Sequence, residues 1–327
     1  MKVDVLSGPT GLGESAWNGL LDRAGAPSVF LTWTWQTEWA RAFAADRAMQ
    51  ILAVTAGDGS LVGILPLYEE TPEQLRVLGG VHVSDYLDVI APAGAEEDVW
   101  QALLQHRAAQ RVEWDLHAIR AASPTVSLLP RLAPSWGLRA ITDVEERCPV
   151  LALPATWDDY LARLSGKDRH ELRRKMRRLE RELPGITVRS HGDATGWDQA
   201  LDQFLTLHRR SKVGKARFMD DRMERFFHDA TLALAERGWA RLWFLESERR
   251  AVASFLCLEY TGMVGLYNSG FDPAHARLAP GIVLLAHVIR DAIERRFPVF
   301  DFLRGEESYK HDFGPTSENL LNVKVLP

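Results

Sequence analysis

An anion site needs free hydrogen-bond donors, and acid–base chemistry needs a few side chains that handle protons. The richest supply of both lies between residues 267 and 315, YNSGFDPAHARLAPGIVLLAHVIRDAIERRFPVFDFLRGEESYKHDFGP. A strand-type run ends at Gly270, and a loop with Arg277, Ala279, Pro280 and Gly281 leads into a long apolar-periodic helix. Proline at a helix start has its φ pre-set and loses no useful donor. The free N–H groups of a first turn attract anions, and small residues there let a pyrophosphate approach. Arg277 would add a charge-assisted contact. The plainer reading is a Pro-Gly loop that only starts a helix. Neither Gly-Lys-Ser/Thr nor G-x-G-x-x-G occurs at this place, which disfavours nucleotide binding by either of those routes.

After that helix, Asp301, Arg304, Glu306, Glu307, Tyr309, Lys310 and His311 fall within eleven residues at the end of a strand. Ligands commonly lie at such strand ends in α/β sheets. Asp301 reads either as a catalytic carboxylate or as the organiser of a neighbouring loop. Lys310 reads either as a phosphate or oxyanion contact or as a surface lysine.

The elements that must position these groups follow from periodicity. Runs 51–56 and 61–68 flank Gly57-Asp58-Gly59 as a hairpin, 86–91 and 113–119 read as strands, and 96–110 as a helix. The same order returns later: a hairpin of 241–246 and 251–260, a strand 264–270, a helix 280–296 and a strand 299–303. This order implies an α/β (α+β) chain with two mixed domains, 1–150 and 151–327, each a mainly antiparallel sheet flanked by helices. Whether they are copies of one unit stays open on the order alone. An insert of about 157–237 separates the repeats. Within it, residues 166–182 carry eight Lys or Arg against four Asp or Glu, either a solvated basic helix or an anion surface.

Length and composition set the outer limits. The 327 residues suggest about two domains; 46% hydrophobic and 25% charged residues are globular values, and the net charge of −5 argues against a globally basic nucleic-acid binder. Cys148 and Cys257 form no disulfide framework, and neither is flanked by His. His275, His287 and His311 lack metal-ligand spacing, so no catalytic metal is expected. No secretory leader and no membrane-spanning run is visible, so the expected location is the cytoplasm.

Leu207-His208, the LYNSGFDP strand, the LAPGIVLL helix start, the FDFLRGEESYKHDFG block, Ser84-Asp85-Tyr86-Leu87-Asp88, the helix of 30–43 and the Arg-rich helix together resemble the CelD-like acetyltransferases of the GNAT superfamily, relatives of the FemAB aminoacyl transferases. The resemblance covers nearly the whole chain and is most specific over its last 60 residues. It implies two tandem GNAT-like domains, with acetyl-CoA or another acyl-CoA as donor at Arg277–Gly281. The family's donor loop reads Arg/Gln-x-x-Gly-x-Gly/Ala; Arg277-Leu278-Ala279-Pro280-Gly281-Ile282 keeps the Arg and one Gly but lacks the first Gly.

Such direct transfer needs a polarised thioester, an acceptor that loses a proton and a thiolate that gains one. His208, Asp85 and Glu306 are the candidate bases, and Tyr267 and Tyr309 the candidate acids. His208 reads equally as a packed or solvated helix histidine. Arg277, Ala279, Pro280, Gly281, Arg304 and Lys310 are expected around the donor. Asp85 and Asp301 are expected toward the acceptor, in a cleft between the domains. The implied activity is acyl-CoA-dependent N- or O-acylation of a sugar, an exopolysaccharide precursor or a small amine. The alternatives are a Fem-like transferase using aminoacyl-tRNA and a non-catalytic scaffold that kept the double fold.

Overall fold

The computed structural model describes residues 1–80, 83–110 and 112–327. The chain folds into two compact units, Met1–Arg147 with Glu318–Pro327, and Cys148–Ser317. The first unit runs β1 (Lys2–Leu6), α1 (Glu14–Leu21), α2 (Trp33–Phe43), β2 (Met49–Thr55), β3 (Leu61–Thr71), β4 (Gln74–Val77), α3 (Glu96–Ala108), β5 (Glu113–Arg120), α4 (Pro124–Leu132) and β6 (Arg139–Ala152), of which residues 148–152 belong to the second unit. The second unit runs α5 (Trp157–Arg163), α6 (Gly166–Glu182), β7 (Thr187–His191), α7 (Trp197–Ser211), α8 (Val213–Phe218), α9 (Asp221–Ala235), β8 (Ala240–Ser247), β9 (Arg250–Tyr260), β10 (Met263–Phe271), α10 (Pro280–Glu294), β11 (Val299–Asp301) and α11 (Ser308–His311). Strand β12 (Thr316–Leu326) closes the chain.

The two units share one topology. In the first, β1, β2, β3 and β4 pair antiparallel in series, and β4 pairs parallel with β5 through the crossover helix α3. In the second, β7, β8, β9 and β10 pair antiparallel in series, and β10 pairs parallel with β11 through α10. A parallel pair needs a crossover, and each unit supplies one helix for it. The expected mixed, mainly antiparallel architecture is therefore present.

Local chemistry explains the elements. The β2–β3 turn closes on the Asp58 carboxylate, which accepts from Ser60 N (2.9 Å) and Ser60 Oγ (2.7 Å). Helix α3 begins with Glu96, Glu97 and Asp98 and ends with His106 and Arg107, matching its dipole. Helix α6 is capped by Ser165 and buries only Leu172 and Leu179, so its charges ride on a narrow apolar stripe. Helix α10 buries Val283, Leu284, Leu285, Val288, Ile289 and Ile293 in the core of its unit, with Phe255, Val264 and Phe300 of the sheet.

Two features depart from the sequence reading. Residues 86–91 are not a strand; a single bridge joins Ile64 to Ile90, and Tyr86 has a φ of 55°, which extended backbone cannot contain. Residues 318–327, read as part of 151–327, pack with the first unit, where Leu320 to Val325 pair antiparallel with Arg120 to Trp114. The apolar members of that strand bury themselves on a sheet edge that β5 would otherwise leave unpaired.

Backbone proximity at one glycine fixes how α7 sits on β10. A Cβ at Gly270 would lie 2.5 Å from His208 N and 2.7 Å from the Leu207 carbonyl carbon, both backbone atoms that cannot swing aside. Gly270→Ala should therefore cost about 1–3 kcal/mol, the usual range for overpacking. Urea unfolding checks this: an unchanged midpoint would mean that α7 and β10 can move apart at no cost.

Candidate functional site

The second unit's sheet parts where its chemistry-bearing residues gather. β10 stays paired with β9 up to Phe271, but pairs with β11 only over Met263–Gly265 against Val299–Asp301. The β9–β10 register shifts between Leu266 and Asn268, which makes Tyr267 a bulged residue and bends the strand. β11 stops because Asp301, fully buried, accepts from Leu303 N (2.7 Å), and Leu303 turns away at a φ of 54°. Past this point β10 and the chain after β11 enclose a cavity of about 510 Å³. Its walls are Ser269–Phe271 of β10, Ala279–Ile282 at the start of α10, Lys212 and Lys215, and Glu307–Tyr309.

The α10 terminus offers less than a full set of free donors. Pro280 has no N–H, and the N–H groups of Ile282 and Val283 both bond the Ala279 carbonyl (3.0 and 3.3 Å). The Gly281 N–H is left without an intrahelical partner. Ala279 adopts the left-handed conformation, at a φ of 50°, to start the helix. A side chain at Gly281 would meet no protein atom within 4 Å, so the space beside it is open.

The remaining walls carry charge. Lys215 Nζ donates to Ser269 O and to Ser269 Oγ (3.1 Å). Burial, then Lys212, lowers its pKa against the opposing pull of Glu307, to about 8. Burial raises the Glu307 carboxyl, but its bond to Lys310 (2.8 Å) wins and holds it below the ordinary carboxylate range. Burial, with Glu307 nearby, pushes the Tyr309 hydroxyl well up, so it keeps its proton at neutral pH.

Of the residues named from sequence, Ala279, Pro280, Gly281 and Tyr309 line this cavity. Arg277 is exposed and paired with Glu182 (3.4 Å) away from its walls. Glu306 is exposed, and Glu307 takes the wall position instead. Tyr267 is stacked on Phe227, with ring centroids 5.6 Å apart. Arg304 is half-buried and gives its carbonyl to Lys310. Lys310 is buried, and its Nζ donates to the carbonyls of Phe302 (3.2 Å), Leu303 (3.5 Å), Arg304 (3.0 Å) and Gly305 (2.9 Å) besides pairing with Glu307. Three N–H groups face five acceptors, so this ammonium holds the loop after β11 and has no donor to spare for a phosphate.

His208 is also buried. Its Nε2 meets Asn268 Oδ1 (3.0 Å), its Nδ1 is sealed without a partner, and its ring lies beside Phe204. Burial, then Lys215, lowers its pKa to about 4, so it is neutral at pH 7 and packed, the plainer of its two readings. Asp301 likewise organises its loop. The sequence reading missed Lys212, Lys215 and Ser269: the two lysines follow His208-Arg209-Arg210, where no local pattern marks an inward-facing lysine.

Asp85 belongs to the first unit, where it is buried. A cavity of about 370 Å³ in that unit is lined by Tyr86, Asp88, Arg120, Ser123 and Thr125 among others. Arg120 lies 3.6 Å from the Tyr86 ring centroid. Asp88 accepts from Ser123 Oγ, Thr125 Oγ1 (2.6 Å) and Val89 N (2.8 Å). Burial outweighs these bonds and raises its pKa to about 6. Among the described residues, no group of three or more His, Cys, Asp or Glu could hold a metal ion, and no helix is long and apolar enough to cross a membrane.

Residues 166–311 match the family model described as the Acetyltransferase (GNAT) domain. No curated protein matches the chain. Among solved structures, FemX is similar at a TM-score of 0.67 and 11% identity, covering 98% of this chain and 97% of that one. A conserved protein of unknown function from Bacteroides thetaiotaomicron gives 0.65 and 11%, covering 100% of each chain. L-PGS from Bacillus licheniformis gives 0.58 and 13%, covering 94% of this chain and 90% of that one. At such identities the likeness is one of fold. It spans both units, and every wall of the 510 Å³ cavity lies inside the matched GNAT segment.

Two outcomes follow from these polar networks. Lys310→Met orphans buried carbonyls and should cost about 3 kcal/mol, the upper end for an unsatisfied buried group; chemical unfolding measures it, and a loss under half that size would mean the loop re-pairs its carbonyls. Asp88, with its folded pKa raised, stabilises fully below about pH 4, and this contribution is lost as pH rises through about 6. The stability of the native protein relative to Asp88→Asn should therefore fall from about pH 4 to 6 and level off above. A flat difference would contradict the buried-carboxyl assignment.

Proposed function

We propose that the protein is an acyl-CoA-dependent N- or O-acyltransferase that seats its donor in the second unit's cavity. The observation that carries this reading is the parting of β10 from β11. It opens a slot bounded by sheet backbone on one side and by the α10 terminus on the other. A pantetheine chain can add along Ser269–Phe271, beyond the end of the β11 pairing, as an extended ligand adds to a strand edge. The Gly281 N–H and the positive end of α10 would face the pyrophosphate, with Lys212, exposed at the rim, as counter-charge.

Transfer is then direct. The acceptor attacks the thioester carbonyl, the C–S bond breaks, and the thiolate needs a proton. Tyr309 lines the cavity and keeps its proton at neutral pH, so its hydroxyl can donate a hydrogen bond to the developing thiolate. Neither cysteine serves as a nucleophile in this reading: both are buried, and burial raises the Cys257 thiol well above its ordinary value. Lys310 and Asp301 shape the loop that forms one wall. The acceptor class is a sugar, an exopolysaccharide precursor or a small amine.

Two observations favour a small thioester donor over aminoacyl-tRNA or a scaffold role. Four of the eight α6 cations are paired on the helix itself: Glu171 takes Arg174 (2.7 Å) and Lys175 (3.8 Å), and Glu182 takes Arg178 (2.9 Å) and Arg181 (3.5 Å). The donor slot is open, whereas a scaffold that had lost its ligand would fill it with side chains.

Gly281→Asp places a carboxylate in open space at the donor's anionic end. It should weaken acetyl-CoA binding at least tenfold by calorimetry, through bulk and like charge, while leaving thermal stability within about 0.5 kcal/mol, the usual range for a surface change. Equal affinity in both proteins would move the donor elsewhere.

A further inference from the structure

The donor reading leaves one wall of the cavity unexplained. Lys215, on the short helix α8, reaches across to β10 and gives hydrogen bonds to both the carbonyl and the hydroxyl of Ser269. A neutral amine has two N–H groups and one lone pair, and Ser269 supplies two acceptors. The fourth tetrahedral position of Nζ then points away from Ser269, as an N–H when charged and as a lone pair when neutral. The neighbours set its charge from every side: Lys212 at the start of α8, the neutral His208 of α7, and Glu307 and Tyr309 across the cavity. The other groups that could accept a proton here are engaged. His208 is sealed behind β10, and Glu307 is tied to Lys310.

We propose that Lys215, poised on Ser269 in the cavity wall, is the base that takes the proton from an amine acceptor as the acyl group moves onto it. This rests on the donor reading above. The acceptor nitrogen bonds the acyl carbon, its proton passes to the neutral Lys215 amine, the C–S bond breaks, and the departing thiolate, hydrogen-bonded by Tyr309, takes that proton from the newly charged Lys215. No oxidant or further reactant enters. The low pKa of Lys215 makes a neutral amine available near neutral pH, where an ordinary lysine would be almost wholly charged.

Two measurements test it. Trace labelling with acetic anhydride between pH 6 and 11, read by peptide mass spectrometry, reports when each lysine loses its proton. Lys215 should label with a midpoint near 8, well below the lysine reference of about 10.4. A Lys215 midpoint above 10 overturns the proposal whatever the donor is. Acetyl-CoA is then offered with ethanolamine, glucosamine and spermidine, and thiol release is followed. Wild-type turnover should rise with pH through about 8, and Lys215→Met and Lys215→Arg should both lose about 10²–10⁴-fold while binding acetyl-CoA as before. Arginine can bond Ser269 yet cannot give up its proton, so it separates a base from a structural lysine. Either variant keeping half the rate overturns the proposal, as does a wild type that binds acetyl-CoA yet acylates none of the amines. Failure of the wild type to bind acetyl-CoA overturns the donor reading instead, with the labelling midpoint still deciding the state of Lys215.

Discussion

Everything at the second unit's site depends on how closely α7 lies against β10. At Gly270 the strand touches the helix backbone directly, with no room for a Cβ. That contact seals His208 beneath the strand, where Asn268 holds it, and brings the C-terminal end of α7 level with Ser269. Helix α8 follows within two residues, so Lys215 is delivered to Ser269 by the chain path. A side chain at 270 would lift α7 and withdraw the lysine from the cavity. The buried histidine thus helps to position the strand, and the lysine beyond it meets the ligand space.

The same topology occurs twice, yet the two crossover helices start differently. Helix α3 opens with three acidic residues, good for its own dipole and hostile to an anion. Helix α10 opens with Pro280 and Gly281, no acid and open space beside it. β10 runs on past its parallel partner for six residues, 266–271, whereas β4 is only four residues long and its parallel pairing covers three of them. Of the two crossover helices, α10 alone therefore combines an acid-free start with a strand that outruns its parallel partner. In the first unit the 370 Å³ cavity beside the start of α3 is lined instead by the left-handed Tyr86 and by the Asp88 carboxyl with its Ser123 and Thr125 partners.

The sequence made the architecture legible because its signals are strong ones. Hairpin turns, two crossover helices of matching period and a shared order outlined both units, and the Ala279-Pro280-Gly281 start lies in the wall of the larger cavity. Three things stayed hidden. The return of β12 to the first unit is a long-range pairing that no local pattern encodes. The 86–91 run has the composition of a strand, but Tyr86 turns left-handed and breaks it. Side-chain fates at the site were the hardest: His208, Lys310 and Asp301 have reactive chemistry but spend it on Asn268, on four carbonyls and on the Leu303 N–H. Lys215 follows several other cations in sequence, where no local pattern tells a solvated lysine from one folded inward.

The central claim is that a thioester donor occupies the space between the end of β10 and the start of α10. Hydrogen–deuterium exchange with and without saturating acetyl-CoA tests it most directly. The account predicts slowed exchange confined to residues 269–271 and 279–282, with 86–91 of the first unit unchanged. Protection in the first unit alone, or none anywhere at saturation, would contradict it.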